Sequence, residues 1–308
     1  MESSIQSRLQ QIASKLRSRN IYVGTSSWKY EGWMGQLYSP ERYEYRGKVA
    51  KSRFETGCLV EYAETFKTVC VDAGFYRFPD ERYIGKLVEQ VSEDFLLSFK
   101  VTDEITIKKF PNQPRHGERA GKSNVNFLNA ELFINAFLGS LSPFRSNIGI
   151  LMFEFSQFYK GDFEHGSDFV EALDGFFGQL PKGWQYGVEM RNREFLQPDY
   201  FAMLHKHNVT HVFNSWSRMP DVSDQMEMGG SFTAGFFASR FLLKPGRAYQ
   251  EAVDKFSPYK EIQEPYPIAR SAIATLASKT PARPSFIFVN NRLEGNALLT
   301  IAESLAAL

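Results

Sequence analysis

Glu189 and Arg191 are the two residues whose types and spacing point most directly to chemistry. They follow the apolar run 186–188, which is typical of a buried strand. Residues two apart in a strand point to the same face, so an acid and a base enter whatever that face covers. Burying both charges is costly unless they pair with each other or bind a ligand. The pair predicts where a functional site lies, and it does not name a reaction.

The same spacing recurs along the chain. Short apolar or β-branched runs predict eight strands, at 21–26, 68–74, 95–101, 147–155, 186–191, 209–215, 232–241 and 285–290. Seven of them place two residues on one face, the second of them polar, in the pairs Cys70/Asp72, Ser98/Lys100, Met152/Glu154, Glu189/Arg191, Val212/Asn214, Ala238/Arg240 and Phe288/Asn290. The C-terminal ends of parallel strands meet at one rim, so the polar members are expected to converge.

Helical periodicity separates the predicted strands. The helical segments are 54–66, 129–138, 169–177, 198–207, 268–278 and 298–308. This alternation predicts an α/β fold, a single TIM-type (β/α)8 barrel with parallel strands over 21–308, preceded by a helical N-terminal extension over 1–20. An open doubly wound sheet is the rival, but residues 24–28 lack the glycine spacing of a dinucleotide site.

If the shared face is the barrel interior, charged residues of both signs converge at its C-terminal mouth. The acids and bases are Asp72, Glu154, Glu189, Lys100, Arg191 and Arg240. A structural ion-pair network that caps the core is one interpretation. Capping needs only one or two pairs, and Asn214, Asn290 and Asn291 add further hydrogen-bonding capacity. These charged and amide groups offer more hydrogen-bonding capacity than capping the barrel core needs, which favours a polar ligand.

The first hypothesis is a barrel enzyme acting on a small polar or anionic metabolite, sugar-like or phosphorylated. In it Glu189 is the general base or acid and Lys100 stabilises developing negative charge. Arg191 and Arg240 bind the anion. The remaining substrate-binding candidates are Asp72, Tyr76, Glu154, Asn214, Asn290, Asn291 and Trp33. A non-catalytic ligand-binding protein is an open alternative, because barrels host many functions.

Nucleic-acid binding or processing is a second alternative. The loop 108–122 is the concentrated basic stretch of the chain, and Trp33, Tyr76 or Trp216 could stack on a splayed base of a single strand. A solvated surface loop is the plainer interpretation of 108–122, since acidic residues interrupt it. The formal net charge of +1 provides no bulk field for a polyanion, which counts against this alternative.

The sequence contains little that is typical of a metal or cofactor site. No cofactor is predicted, although Asp72, Glu154 and Glu189 could offer oxygen ligands to magnesium or manganese. The interleaved bases would repel such a cation. His205, His207 and His211 are expected to be surface residues rather than ligands.

The chain shows no export or membrane signal. Its first twenty residues lack the apolar segment of a secretory signal, and no apolar stretch reaches the roughly 20 residues of a membrane span. Cys58 and Cys70 have no metal or redox spacing. These features predict a cytoplasmic protein with free thiols and no membrane partner.

Several separated segments resemble the domain of unknown function 72, or YecE-like, family. Residues 21–28 with Trp33 and Tyr38 look like its opening strand and aromatic loop. The later matches are Phe75-Tyr76, Phe99-Lys100, Val188-Glu189-Met190-Arg191, Val289-Asn290-Asn291, Gly295 and Ala297. The resemblance runs from residue 21 almost to 308 and implies a TIM-type barrel. The family has no settled reaction, so the resemblance implies a site position rather than a chemistry.

The sequence departs from the family pattern at two strand ends. Asp72 and Gly74 stand where the family usually has Glu and Asn, and Glu154 stands where it has Gln. A shorter acid and an additional carboxylate would change what the mouth binds, and they motivate the non-catalytic alternative.

Overall fold

The computed structural model describes residues 4–159 and 161–308, and within them eight parallel strands form a nearly closed barrel surrounded by helices. The barrel strands are β1 Ile21–Thr25, β2 Thr68–Val71, β3 Leu96–Lys100, β4 Ile148–Phe155, β5 Gln185–Met190, β6 Thr210–Ser215, β7 Ala238–Phe241 and β8 Ser285–Val289. A separate antiparallel hairpin joins Glu44–Tyr45 to Lys48–Val49. The predicted α/β TIM-type architecture is confirmed.

The strands pair in chain order from β2 to β8, and β8 closes onto β1. β1 and β2 meet at a seam of the barrel, where a side chain links the two strands in place of a ladder of backbone hydrogen bonds. The Tyr62 hydroxyl accepts a hydrogen bond from the Thr25 N–H (3.0 Å) and donates one to the Thr68 carbonyl oxygen (3.1 Å). Tyr62 is fully buried, so its hydroxyl satisfies backbone groups that water cannot reach.

Gly24 allows the two strands of this seam to approach. A Cβ atom at position 24 would lie 2.3 Å from the Thr68 carbonyl oxygen, a separation that non-bonded atoms do not adopt. Glycine is therefore required here by the close approach of β2.

Helices connect the strands on the outside of the barrel. They are α1 Ile5–Arg17, α2 Pro40–Tyr43, α3 Lys51–Thr65, α4 Ala73–Tyr76, α5 Glu81–Val88, α6 Asp103–Thr106, α7 Ala130–Leu132, α8 Gly139–Leu141, α9 Gly166–Gln179, α10 Pro198–His207, α11 Val222–Glu227, α12 Tyr249–Phe256, α13 Pro267–Ala277 and α14 Ala297–Ser304. A π-helical turn over Phe133–Leu138 joins α7 to α8, and 3-10 turns lie at Glu31–Trp33, Pro114–Arg119, Ser142–Asn147 and Arg193–Phe195.

Local sequence sets the ends of several helices. The Asp80 side chain accepts a hydrogen bond from the Tyr83 N–H and caps α5, and Asn129 caps α7 in the same way. Pro198 and Pro267 begin α10 and α13, where a missing N–H costs nothing. Asn208, with φ of 53°, ends α10 in the left-handed conformation.

Two large apolar clusters hold the barrel and its helices together, and a small third one lies at Leu243, Ala252 and Phe256. One fills the barrel interior and consists of Cys70, Ile150, Met152, Val212, Phe236, Ala238, Phe286 and Phe288. The other lies between strands and helices and includes Leu9, Ile12 and Leu16 of α1, which packs against β1, α3 and α14. The interior cluster contains the first members of five predicted same-face pairs, so the side chains two residues further on project toward the C-terminal mouth.

Some predicted boundaries are wrong. The second strand ends at Val71 rather than 74, because Asp72 adopts a helical conformation (φ −72°, ψ −18°) and leads into α4. The seventh strand begins at Ala238 rather than 232, and the last helix ends at Ser304 rather than 308. Among the described residues, no helix is both long enough and apolar enough to span a membrane.

Candidate functional site

The six charged residues predicted for the mouth meet in one connected ion-pair network. Asp72 follows β2, Lys100 ends β3, Glu154 lies on β4, Glu189 and Arg191 lie on and just after β5, and Arg240 lies on β7. Every one of them contacts an opposite charge of the same set. The prediction that these side chains converge is therefore correct.

Glu154 is the centre of the network. Its Oε2 accepts hydrogen bonds from Lys100 Nζ at 2.7 Å, Arg191 Nη2 at 2.6 Å and Arg240 Nη1 at 3.2 Å. Burial by itself would raise the pKa of this carboxyl, but Arg191, Lys100 and Arg240 outweigh it and lower the pKa to about 2. Glu154 is therefore a carboxylate at neutral pH and a poor proton donor.

Glu189 orients two arginines. Its Oε1 accepts from Arg191 Nε at 3.0 Å and Nη2 at 2.9 Å, and its Oε2 accepts from Arg240 Nη1 at 2.6 Å. The two-point contact with Arg191 fixes the plane of that guanidinium. Glu189 is fully buried, so both of its oxygens are used by protein cations and none faces solvent directly.

Arg240 connects Glu154 and Glu189 to Asp72, the third acid of the network. Its Nη2 donates to Asp72 Oδ1 at 3.1 Å. Burial lowers the pKa of Arg240, but the surrounding groups, Glu189, Cys70, Asp72 and Glu154, together hold it well above its ordinary value. Arg240 is a permanent cation at the centre of the mouth.

Two of the cations lie against aromatic rings. The Arg191 guanidinium lies 3.7 Å from the centroid of the Trp216 ring, and Lys100 Nζ lies 3.8 Å from that of Phe75. Such contacts stabilise a desolvated cation and restrict its orientation. Trp216 follows β6, so the stack connects the ends of β5 and β6.

A groove of about 1190 Å³ opens beside the network. Its walls come from residues 106–124 after β3 and from residues 156–159, 161 and 162 after β4, and Arg191 and Trp216 line its end next to the network. Among the described residues, the charged side chains of the lining are Lys108, Lys109, Arg115, Arg191 and Asp162, four cations and one acid. Most of the predicted basic loop 108–122 thus lines this mouth groove. Most of its residues, Lys109 and Arg115 among them, are also exposed, so its interpretation as a solvated surface loop stays a prediction.

The comparisons with known proteins agree with this architecture. A family model described as "Protein of unknown function DUF72" matches residues 22–308. The chain belongs to the DUF72 family. The DUF72 resemblance predicted from the strand-end motifs is confirmed over nearly the same range.

Solved structures of DUF72 proteins are similar to this DUF72 chain. A DUF72 family protein from Thermotoga maritima has 17% identity and a TM-score of 0.61, and the match covers 93% of this chain and 98% of that one. A DUF72 family protein from Enterococcus faecalis has the same identity and TM-score, and that match covers 93% of this chain and 95% of the other. At this identity the likeness shows the fold alone. No curated protein matches the chain.

Four predicted ligand residues of this DUF72 protein are occupied by internal contacts. The buried Trp33 indole donates to Asn291 Oδ1 at 3.2 Å, and the same oxygen accepts from the Ala297 N–H at 2.8 Å. Asn290 Oδ1 accepts from the Arg292 N–H, and Asn214 Nδ2 donates to the Met190 carbonyl at 2.9 Å. Their role as ligand residues stays a prediction, and these contacts support a structural role, although Asn214 Oδ1 itself accepts no hydrogen bond within the described residues.

Tyr76 has a different environment. Its side chain is 63% exposed at the end of α4, and the Arg115 guanidinium lies 5.6 Å from its ring centroid. It stands at the rim of the mouth, on the same side as the basic loop. Its predicted ligand contact is sterically open.

The prediction that all three histidines near β6 lie at the surface is wrong. His205 is exposed, but His211 is fully buried, with Nδ1 3.2 Å from the Tyr200 hydroxyl and Nε2 3.3 Å from Gln225 Oε1. Burial lowers the pKa of His211 to about 4, although the Gln225 hydrogen bond opposes this. His211 faces outward from β6, where Tyr200 of α10 covers it.

Sequence reasoning missed the wall formed by residues 156–159, 161 and 162 and the pairing of Arg191 with Trp216. The available signal was that Ser156 and Trp216 directly follow strand ends, which is where barrel sites form. In the described part of the chain, no group of three or more His, Cys, Asp or Glu side chains could hold a metal ion. The magnesium or manganese hypothesis stays a prediction.

Proposed function

We propose that this DUF72 protein is a barrel enzyme acting on a small polar, anionic metabolite, sugar-like or phosphorylated, at the C-terminal mouth. One observation carries the proposal: Arg191 belongs both to the buried ion-pair network and to the lining of the mouth groove. A ligand in the groove therefore touches the edge of a fixed array of charges.

The balance of charge favours an anion. The network holds three acids and three bases, so it is neutral as a unit. The groove adds Lys108, Lys109 and Arg115 against Asp162. Protein walls of low dielectric constant concentrate the electric field of this excess positive charge, so an anionic ligand in the groove is stabilised by electrostatic attraction.

Arg191 is suited to hold the anion. Its Nε and Nη2 are bound to the two glutamates, which leaves Nη1 for a ligand. The stack on Trp216 keeps the guanidinium in place before a ligand arrives. A group oriented in advance costs less entropy on binding. Lys100 would stabilise developing negative charge, as predicted, from a position fixed by Glu154.

A thermal-shift screen tests the proposal. The panel contains inorganic phosphate, sugar phosphates, hydroxy acids, nucleotides and divalent metals, because a ligand raises the melting temperature by mass action. Lys109→Ala should weaken an anionic hit by roughly 10-fold, the loss of about one charge-assisted contact. Lys182→Ala, an exposed lysine outside the groove, is the matched control and should change nothing.

Turnover separates catalysis from plain binding. A hit that is converted supports the enzyme, whereas a hit that stabilises the protein and is recovered unchanged supports the non-catalytic alternative. Stabilisation by neutral compounds only, unaffected by Lys109→Ala, would contradict the proposal.

Single-stranded nucleic acid is the second candidate, and the size and lining of the groove favour it. Tyr159 is 70% exposed in the groove wall, and Trp216 offers a second aromatic surface. Four lining cations predict a slope of log affinity against log salt of roughly −2.8, equivalent to about 50-fold weaker binding at 200 mM than at 50 mM salt. Fluorescence titration with a labelled oligothymidylate measures this slope. No binding at low ionic strength would exclude the candidate.

A further inference from the structure

The three carboxylates of the mouth differ in access and in the number of cations that they hold. The side chains of Glu154 and Glu189 are 3% and 0% exposed, whereas that of Asp72 is 35% exposed. Glu154 holds three cations and Glu189 holds two. Among the described cations, Asp72 holds Arg240 alone, through Oδ1. The glutamates are enclosed by their partners, and Asp72 is the acid that an entering molecule can reach.

Asp72 also retains hydrogen-bonding capacity. Its Oδ1 accepts from Arg240 Nη2 at 3.1 Å and lies 3.6 Å from the Cys70 thiol. Its Oδ2 has no hydrogen-bond partner within the described residues. A carboxylate oxygen at a half-exposed rim accepts readily from a hydroxyl group.

Two buried polar atoms on the interior face have no hydrogen-bond partner within the described residues. They are Arg240 Nε, a donor, and Asn214 Oδ1, an acceptor. Both residues are at least nine-tenths buried, and they are register neighbours on β6 and β7 with side chains on the interior face. A buried unpaired donor or acceptor costs about 1–3 kcal/mol, so such a pair is a place where a hydroxyl or a water molecule is stabilised.

We propose that Asp72 is the carboxylate that faces the ligand, and that it accepts a hydrogen bond from a ligand hydroxyl next to Arg240. Glu154 and Glu189 are then positioning residues that act through Lys100, Arg191 and Arg240. This inference rests on the proposed function and narrows its ligand to a hydroxylated anion, with the anionic group toward Arg191 and a hydroxyl at Asp72.

Carboxyl labelling tests the assignment without a ligand. The full-length protein is treated with a water-soluble carbodiimide and glycine ethyl ester at mildly acidic pH, and modified peptides are quantified by mass spectrometry. Asp72 should react at least 10-fold faster than Glu154 and Glu189, and the corresponding peptide of Asp72→Asn should lose that modification. Equal rates at the three residues, or faster reaction at either glutamate, would overturn the inference.

A pair of probes tests the hydroxyl. Methyl phosphate and glycerol 3-phosphate carry the same anionic group and differ in their hydroxyls. The wild type should bind glycerol 3-phosphate about 10-fold more tightly, and in Asp72→Asn this ratio should fall to about one, with methyl phosphate affinity nearly unchanged. A ratio that survives in Asp72→Asn would refute the role of Asp72. If neither probe binds, the proposed function fails for phosphates, and the labelling rates still decide which carboxylate is accessible.

Discussion

Replacing Glu154 with glutamine should destabilise the barrel by an amount that depends on pH. Burial opposes ionisation of Glu154, but Arg191, Lys100 and Arg240 lower its pKa from an ordinary 4.5 to about 2. At 1.36 kcal/mol for each pH unit, this difference is about 3 kcal/mol of stability supplied by the ionised form. Because the folded pKa is lower than the unfolded one, this contribution is present above about pH 4.5 and is lost as the pH falls through about 2.

Urea unfolding of the wild type and Glu154→Gln across this range measures the effect. At neutral pH the variant should be less stable by about 3 kcal/mol, since its neutral amide leaves three buried cations with less compensation. By pH 3 about 2 kcal/mol of the difference should be gone, because the carboxyl of the unfolded chain, with its ordinary pKa of 4.5, is then protonated while that of the folded protein is still mostly ionised. Other carboxylates titrate in both proteins and cancel in the difference.

Glu303→Gln is the matched control. Glu303 pairs with Arg8 at 3.5 Å at the surface, where both side chains are more than a third exposed, and its replacement should cost under about 1 kcal/mol. The reasoning is refuted if the difference between wild type and Glu154→Gln stays constant from neutral pH to pH 3. A difference near zero at neutral pH would refute it equally.

Further variants address the seam and the buried histidine. Tyr62→Phe should lower the unfolding free energy by about 3 kcal/mol, because it leaves a buried N–H and a buried carbonyl unpaired, and amide hydrogen exchange at Thr25 should accelerate. Gly24→Ala should destabilise by at least about 2 kcal/mol in thermal unfolding through its clash with β2, whereas Gly175→Ala, in a helix with open space around it, should be neutral or stabilising. His211 should stay neutral until about pH 4 in an NMR titration, so the wild type loses stability between about pH 6.5 and 4 and His211→Gln does not; a normal titration near 6.5 would contradict its burial.

The convergence of the mouth residues was predictable from the sequence for a simple physical reason. A strand alternates its faces, so an apolar residue such as Met152 in the barrel interior fixes the direction of Glu154 two residues later. Eight strands of one sense then bring such residues to a common rim. The same logic identified Asp72 and Arg240 without any knowledge of their partners.

Loop geometry was not predictable in this way. Trp33 and Trp216 both follow strand ends, yet Trp33 is sealed against Asn291 and Trp216 lies under Arg191 at the inner end of the groove. Their environments depend on tertiary contacts between loops distant in sequence. His211 shows the same limit, since only the packing of α10 and α11 determines that this polar side chain is buried.

The seam between β1 and β2 also affects Asp72. β2 has a hydrogen-bond ladder only with β3, and on its other side the link to β1 runs through the Tyr62 hydroxyl. The strands that carry Glu154, Glu189 and Arg240 are paired on both sides. Displacing Asp72, which directly follows β2, together with the end of that strand therefore breaks fewer backbone hydrogen bonds than displacing the other two acids with their strands. In the role proposed above for Asp72, the mouth would combine a rigid frame of charges with one adjustable carboxylate, able to follow a ligand hydroxyl at different distances from the anionic group.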